Sequence, residues 1–240
     1  MSQLPKVGRA GPPYNPCLRN LVEGRRDRSS PPKLEDAKQG FRGWHERGYL
    51  PHRDEPRLTQ FVTFHLNDSF PESLRSEWEH LSKIEDDRDQ RKLLEAYLDK
   101  GRGECHLRRT EIAKLVEDNF RRFAGAGAGS QSRTPRYELR AWVVMPNHVH
   151  VLFKVGSVSM SEIIGAWKMH TGRLANKLLG KQGAFWAKDY FDVFMRGNDH
   201  ERQTFRYIEN NPTRAKLVLN PNDWPWSSAR FREQFGRLRL

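Results

Sequence analysis

An alternation of apolar and polar residues around a Pro-Asn break constrains the fold of this chain most strongly. Residues 143–153 read Val-Val-Met-Pro-Asn-His-Val-His-Val-Leu-Phe, a pattern typical of a β-hairpin that turns at the break. Because strand side chains alternate between faces, His148 and His150 are predicted on one face and Val149 and Val151 on the other. Imidazole is the commonest metal ligand near neutral pH. Two histidines alone are a weak signal, since in most His-x-His pairs one side chain is partly buried and the other lies on the surface.

The composition of the 240-residue chain limits the classes of protein to which it can belong. Its mean hydropathy is −0.85, and no run of 18 apolar residues occurs, so no membrane span is expected. The first residues lack the apolar centre of a secretory signal. Cys17 and Cys105 are far apart and lack metal-ligand spacing, which favours a reduced, cytoplasmic compartment.

The net charge of +12 is concentrated at the two ends of the chain. Lys and Arg exceed Asp and Glu by 12 to 7 in residues 1–60, by 16 to 15 in residues 61–160 and by 14 to 8 in residues 161–240. No basic amphipathic helix with a wide apolar face appears, so a nucleic acid is a better partner for this charge than an anionic membrane. A protein associated with the nucleoid is therefore expected.

Three parts of the chain are predicted to lie outside or away from the functional site. Residues 1–58 are rich in Pro, Gly and Arg and show little periodicity, which predicts a flexible basic arm. The part of this arm nearest the domain, residues 47–52, could be ordered against it. One folded domain is expected over residues 59–235, followed by a basic tail at residues 236–240. The many acidic residues between Glu72 and Asp99 indicate a surface that faces away from nucleic acid.

The predicted domain combines a few strands with several helices. The β-branched and aromatic run from Phe61 to Leu66 predicts a first strand, with His65 on the opposite face to its core residues. The Gly- and Ala-rich residues 124–135 predict a flexible linker. Capping residues ahead of apolar stripes predict helices that begin near Ser69, Thr110, Ser159 and Asn198.

The last of these helices carries two polar side chains that could join the histidines. Tyr207 and Asn211 are four residues apart and therefore lie on one helical face, and Pro212 is expected to end the helix just after Asn211. The order of elements indicates an α+β fold, with an antiparallel sheet and helices packed on one face. A terminal helix beside the open face would then bring Tyr207 and Asn211 to the two imidazoles.

This set of side chains suits metal-assisted chemistry on a phosphodiester. Two imidazole nitrogens and an amide oxygen leave open positions on a hard ion such as Mg²⁺ or Mn²⁺, unlike a closed structural zinc site. The metal would polarise the phosphodiester, and a tyrosine oxygen could attack its phosphorus. Tyr190 is the rival nucleophile, and His200, near the same face as Tyr207, could contact DNA or assist protonation. Four cations are candidates for phosphate contacts: Lys168, Arg173, Lys177 and Arg196.

The motifs together resemble those of the REP-associated tyrosine transposases, which belong to the HUH (His-hydrophobe-His) single-strand endonucleases. The resemblance rests on the run 142–152 and on Tyr-Ile-Glu-Asn-Asn-Pro at 207–212. It is supported in the same order by Phe185-Trp186, Tyr190-Phe191-Asp192 and Trp-Pro-Trp-Ser-Ser at 224–228. It covers about residues 60–235. The linker at 124–135 is longer than the turn expected there, and the N-terminal arm has no counterpart.

The resemblance implies a fold, a reaction and a role for each matching residue. It implies a ferredoxin-like sheet, His148 and His150 as metal ligands, Asn211 as the third ligand and Tyr207 as the nucleophile. The implied activity is that of a transposase that nicks and joins single-stranded DNA carrying hairpins, through a 5′-phosphotyrosine intermediate and with Mg²⁺ or Mn²⁺. A monomer or a homodimer is expected.

Other functions remain open from the sequence. A domesticated protein could bind hairpin DNA without cutting it. Replication initiators and plasmid relaxases share the His-x-His chemistry, although no helicase or P-loop region accompanies it here. A barrel-type metal hydrolase would need eight strand–helix repeats and later ligands, which residues 156–240 do not offer.

Overall fold

The computed structural model describes residues 31–46, 51–69, 95–124 and 136–232. The strands are β1 (Gly43–Glu46), β2 (Pro51–Asp54), β3 (Thr59–His65), β4 (Tyr137–Val144), β5 (His148–Val155) and β6 (Phe191–Phe194). The helices are α1 (Leu34–Lys38), α2 (Thr110–Arg122), α3 (Met160–Leu179) and α4 (Asn198–Arg214). Residues 95–98 are also helical, and single 3-10 turns cover His106–Arg108, Pro221–Asp223 and Ser228–Phe231.

Four strands form one antiparallel sheet in the order β4-β5-β3-β6. With α2 between β3 and β4, and α3 between β5 and β6, this is the β-α-β-β-α-β arrangement of ferredoxin-like folds. The predicted α+β class is therefore confirmed, as is the hairpin turn at Pro146-Asn147 between β4 and β5.

The face of the sheet opposite the histidines forms the main core. Val62 and Phe64 of β3 and Val149, Val151 and Phe153 of β5 are fully buried there. The core also takes the apolar stripes of α2 and α3, including the buried residues Ile112, Val116, Phe120, Ile163, Ile164 and Trp167. Sequence alternation in β5 thus places its apolar side chains under two helices, and its imidazoles on the other side.

Helix α4 covers the second face of the sheet. A smaller apolar cluster joins Phe61 of β3, Val143 of β4 and Leu152 of β5 to Ile208 of α4, with Met195 and Tyr207 packed against it. The terminal helix therefore lies across the face of the sheet that carries the histidines.

Local signals in the sequence set the ends of α3. The Ser159 hydroxyl accepts a hydrogen bond from the Glu162 backbone N–H at 3.4 Å, which satisfies one of the unpaired donors of the first turn. Gly180 ends the helix in the left-handed conformation at φ 64°, where glycine carries no Cβ penalty. The predicted start of α3 is thus confirmed.

The predicted N-terminal arm extends too far, because part of residues 1–58 is packed on the domain. Strands β1 and β2 pair as an antiparallel hairpin. Phe41 belongs to the main core, and His52 and Asp54 are buried. The aromatic and imidazole side chains in this stretch supply apolar contacts that its Pro and Gly content conceals. Residues 1–30 of the predicted arm lie outside the described residues.

Two further boundaries differ from the predictions. Helix α4 continues to Arg214 with Pro212 inside it, because a proline near the C-terminal end removes only one intrahelical hydrogen bond while the last carbonyls are capped by the following turn. Ala124 is buried in the core and bridges to Tyr137, so it is not part of a linker. Residues 125–135, the helix expected from Ser69 and the tail at 236–240 lie outside the described residues.

We expect Asp54→Ala to lower the free energy of unfolding by about 1–2 kcal/mol, because it removes a buried side-chain cap from a helix. The carboxylate of Asp54 accepts a hydrogen bond from the backbone N–H of Met160, the first residue of α3, at 2.8 Å. It thereby fastens the N-terminal hairpin to the domain. Equilibrium unfolding in urea measures the loss. Glu55→Ala is the matched control, since its partner is the half-buried Arg53, and an equal loss in both variants would contradict this role.

Candidate active site

His148 and His150 open the β5 strand on the face that α4 covers. Their ring centroids are 4.7 Å apart, and both side chains are about 1% exposed. His148 donates a hydrogen bond from Nδ1 to the amide oxygen of Asn147 at 2.8 Å. His150 Nδ1 shares a hydrogen bond with the Thr63 hydroxyl at 2.7 Å. Both rings are thus fixed through Nδ1, which is the way that proteins orient imidazoles that ligate through Nε2.

Burial keeps the His148 imidazole neutral, which is the state that can bind a metal. Desolvation, together with the neighbouring His65, lowers the pKa of His148 to about 3. His65 lies directly opposite His148 in the register of β3 and β5. Desolvation lowers the pKa of His65 to about 4, and its Nδ1 donates to the backbone oxygen of Leu66 at 2.8 Å. A third buried histidine therefore lies beside the pair.

Tyr207 on α4 reaches the imidazole face from above. Its ring centroid is 5.7 Å from that of His150 and 5.9 Å from that of Phe61, both in edge-on geometry. Phe61 also lies 5.4 Å from His150, so an apolar ring fills the space between helix and sheet. The prediction that α4 brings Tyr207 to the imidazoles agrees with this arrangement.

The hydroxyl of Tyr207 lies in a charged surrounding that sequence patterns did not reveal. Its pKa is raised well above the ordinary value by burial and then by the Glu95 carboxylate, while Arg214 acts in the opposite direction. The Arg214 guanidinium carbon is 4.8 Å from the centroid of the tyrosine ring. The pKa of Asp99 is also raised by burial, and Arg214 again opposes the shift.

The acidic segment is therefore closer to the candidate site than the sequence suggested. Glu95 and Asp99 belong to the stretch that was expected to face away from nucleic acid, yet both act electrostatically on Tyr207. The net charge of a long segment does not indicate which of its side chains points toward the candidate site. The four-residue spacing of Glu95 and Asp99, which puts both on one helical face, is the one signal that could have singled them out.

Asn211 follows Tyr207 by one turn and is fully buried. Within the described part of the chain, neither its amide oxygen nor its amide nitrogen has a hydrogen-bond partner, and the same holds for Nε2 of His148. Buried polar groups normally have hydrogen-bond partners, so the unpartnered atoms of Asn211 and His148 are suited to coordinate a metal ion. Among the residues that the structure describes, no cluster of three or more His, Cys, Asp and Glu forms a metal site. An amide oxygen is the additional donor that the residues here would supply.

The four cations predicted to contact DNA are not gathered at this site. Lys168 donates to the backbone oxygens of Lys188 and Asp189 at 2.7 and 3.3 Å and thus fastens the loop after α3. Arg173 and Lys177 are exposed on α3, which packs on the opposite side of the sheet from the histidines. Arg196 follows β6, with its guanidinium carbon 5.6 Å from the ring centroid of Phe194.

The two other side chains considered from the sequence have different surroundings. Tyr190 is buried in the main core, on the opposite side of the sheet from His148 and His150, and its ring lies 4.7 Å from that of His52. His200 lies in the first turn of α4, where its Nδ1 accepts from the backbone N–H of Arg196 at 3.4 Å. Tyr190 is therefore separated from the imidazole pair by the sheet.

We expect the stability of the protein in EDTA to fall as the pH drops below 6.5. The unfolded chain takes up protons on histidine near that value, whereas folded His65 resists protonation until about pH 4. Between pH 7 and pH 4.5 this difference lowers the free energy of unfolding by roughly 2–3 kcal/mol, at about 1.4 kcal/mol for each unit of pKa difference.

Urea unfolding of wild type and His65→Gln at both pH values measures the effect. The glutamine variant should lose less stability on acidification by that amount. His170→Gln, on the outer surface of α3, is the control. Equal acid sensitivity in all three proteins would refute the assignment to His65.

Part of the chain that includes the candidate site is similar to a known family. Residues 108–211 match the family model described as "Transposase IS200 like", a span that contains His148, His150, Tyr207 and Asn211. No curated protein matches the chain. No helix among the described residues combines the length and the apolar character needed to cross a membrane.

Two solved structures share low sequence identity with the chain. A REP-associated tyrosine transposase bound to a REP hairpin is 19% identical, with a TM-score of 0.41, over 78% of this chain and 83% of that one. A protein of Deinococcus radiodurans R1 that is assigned as a transposase is 16% identical, with a TM-score of 0.29, over 70% of this chain and 96% of that one. The match to this family model agrees with the resemblance inferred from the motifs: residues 108–211 of the chain are similar to IS200-like transposases.

Proposed function

We propose that this protein is a metal-dependent endonuclease and strand transferase for single-stranded DNA that acts at hairpin-associated sites. The observation that carries the proposal is the placement of Tyr207 above His150, with 5.7 Å between ring centroids. A family match over the same residues supports a transposase. The net charge of +12 supports a polyanionic substrate.

In this proposal Tyr207 is the nucleophile. Its phenolic oxygen forms a bond to the phosphorus of a phosphodiester, and the bond from phosphorus to the 3′ oxygen breaks. The tyrosine proton leaves the phenol, and the departing 3′ oxygen takes up a proton to give a free hydroxyl. The products are a 5′-phosphotyrosine and a 3′-hydroxyl end. Because the phosphotyrosine keeps the energy of the broken bond, a second 3′-hydroxyl can reverse the step and join strands.

The proposed metal ligands are Nε2 of His148, Nε2 of His150 and the amide oxygen of Asn211. Mg²⁺ or Mn²⁺ bound by these donors would polarise the phosphodiester and leave positions open for its oxygens. The Asn147 and Thr63 side chains hold the two imidazoles through Nδ1. This leaves the two Nε2 atoms to ligate.

The groups around Tyr207 bear on how its hydroxyl loses a proton in the proposed reaction. Burial and Glu95 raise the pKa of its hydroxyl, so the phenol is protonated at neutral pH and must transfer its proton during attack. Arg214 favours the phenolate and lies over the ring. We infer that Arg214 supports the charge that develops on the tyrosine oxygen, and that Glu95 is placed to receive the proton.

We expect Tyr207→Phe to abolish a covalent protein–DNA adduct, because it removes the attacking oxygen without altering the ring. Purified protein is incubated with Mg²⁺ or Mn²⁺ and labelled single strands from the hairpin-forming DNA beside its own gene. Adducts are then resolved by denaturing gel electrophoresis. Wild type should form the adduct, and Tyr190→Phe, on the other side of the sheet, should form it as well.

The same assay separates the proposal from its alternative. EDTA and His148→Ala should remove the adduct, since both remove the metal from the reaction. Tight binding of the hairpin without an adduct under either metal would instead support a DNA-binding protein that does not cut. An adduct that persists in Tyr207→Phe would leave the reaction class standing and refute the nucleophile.

We expect Arg173→Ala and Lys177→Ala each to weaken hairpin binding at all sequences and to reduce its salt dependence by about one unit of slope, as the loss of one phosphate contact does. The two side chains are exposed one turn apart on α3. Binding is measured by fluorescence anisotropy at several salt concentrations. Lys114→Ala is the control, since that lysine is paired with Asp118 on α2. A slope unchanged from wild type in both α3 variants would remove them from the DNA contact.

A further inference from the structure

The segment after α4 contains the Trp-Pro-Trp-Ser-Ser motif, for which the proposed reaction has no role. This segment lies along the free edge of β4. The backbone N–H of Val144 donates to the oxygen of Trp226 at 2.8 Å, Ser227 bridges to Val143, and the indole N–H of Trp224 donates to the oxygen of Val144 at 3.0 Å. The motif therefore extends the sheet at the strand that leads into the histidine hairpin.

Ser228, the last residue of the motif, connects this sheet edge to α4. Its hydroxyl accepts a hydrogen bond from the backbone N–H of Trp142 at 3.2 Å and donates to the Glu209 carboxylate at 2.5 Å. Arg232 donates to the same carboxylate oxygen at 2.7 Å and to the backbone oxygen of Arg140 at 2.9 Å. Ser228 is fully buried and Glu209 is 8% exposed. One carboxylate on α4 is thus bonded through two side chains to the backbone of β4.

Glu209 lies two residues after Tyr207 and two before Asn211. At about 100° per residue it is roughly 200° around the helix from Tyr207, with the buried Ile208 between them. The bonds of Glu209 and the ring of Tyr207 therefore lie on opposite flanks of the line along which α4 packs on the sheet. Because Glu209 is held on one flank, α4 cannot rotate about its own axis. The distance between Tyr207, on the other flank, and the imidazoles is therefore fixed.

We propose that Glu209, held by Ser228 and Arg232, is a positioning residue that sets the approach of the tyrosine helix to the histidine pair. This inference rests on the proposed function, since it assigns the carboxylate a part in the same reaction. Glu209 touches neither substrate nor the reacting atoms. Its effect passes through the rotation of α4, and the Trp-Pro-Trp-Ser-Ser motif is the fixed support that it requires.

A second pair of the same type in the same segment provides a matched control. Arg230 donates to Glu117 at 2.7 and 2.5 Å, and Glu117 is 2% exposed on α2. Arg232 and Arg230 are thus two arginines, two residues apart, each bonded to one buried carboxylate. The first holds the tyrosine helix, and the second holds a helix on the opposite side of the sheet.

The test compares Glu209→Ala, Arg232→Ala and Arg230→Ala in three measurements. These are the single-turnover rate of adduct formation at saturating DNA, the dissociation constant for the hairpin, and Tm. We expect Glu209→Ala and Arg232→Ala to lower the rate by about 10- to 100-fold, because a misplacement of about 1 Å is enough for such a loss. Hairpin affinity should stay near that of wild type. Arg230→Ala should lower Tm by a similar amount, with a wild-type rate at a temperature below every Tm.

The conservative variant Glu209→Gln separates positioning from charge. Its amide oxygen can still accept from Ser228, so the rate should recover most of the loss seen in Glu209→Ala. An unchanged rate in Glu209→Ala, or an equal loss in Arg230→Ala, would overturn the proposal.

A readout that needs no cleavage keeps this inference apart from the proposed function. Hydrogen exchange of the α4 amides around residues 204–211 should accelerate in Glu209→Ala and Arg232→Ala but not in Arg230→Ala. Exchange that stays at the wild-type rate in all three variants would refute the positioning role, whether or not wild type forms an adduct. A different result would be a wild type that forms no adduct while exchange in α4 accelerates only in the Glu209 and Arg232 variants. That result would support the positioning of α4 by Glu209 and contradict the proposed nuclease activity.

Discussion

The antiparallel pairing of β3 with β5 is the constraint on which the rest of the structure depends. Its register sets Thr63 opposite His150 and His65 opposite His148. Since side chains on paired strands share a face, the same register places Val62 and Phe64 in the main core, where α2 and α3 bury them. A slip by one residue would turn the imidazoles into the apolar core and the valines toward α4. The register of β3 and β5 therefore sets both the packing of the two helices and the face on which the histidines lie.

Burial has opposite consequences for the two kinds of group in the site. It lowers the pKa of His148 and so favours the neutral form that can ligate. It raises the pKa of Tyr207 and so disfavours the anion that could attack. In the proposed reaction, burial would therefore favour the form of His148 that ligates and disfavour the form of Tyr207 that attacks. Of the charges around the tyrosine, Arg214 lowers the pKa and so opposes the effect of burial, whereas Glu95 raises it further.

Much of the candidate site could be predicted because it depends on short-range spacing. Alternation in a strand defines the face of His148 and His150, and one helical turn relates Tyr207 to Asn211. Interactions between distant segments could not be predicted in this way. Glu95 acts on Tyr207 from a segment whose overall charge suggested the reverse, and Phe41 packs on the domain from a stretch whose composition resembled a flexible arm. The prediction that Pro212 ends α4 was likewise wrong, because this proline lies near the end of the helix, where few intrahelical hydrogen bonds remain to be lost.

The sequence alone determined the α+β class, the hairpin that carries the imidazoles and the family that its motifs resemble. All three follow from periodicities of two or about 3.6 residues and from ordered short motifs. Only the tertiary structure decided that α4 lies over the imidazoles, that Tyr190 lies behind the sheet and that Ser228 joins Glu209 to β4. These relations bring together residues 19 to 86 positions apart. Such distances carry no periodic signal, and it is the packing of the two sheet faces that brings the segments together.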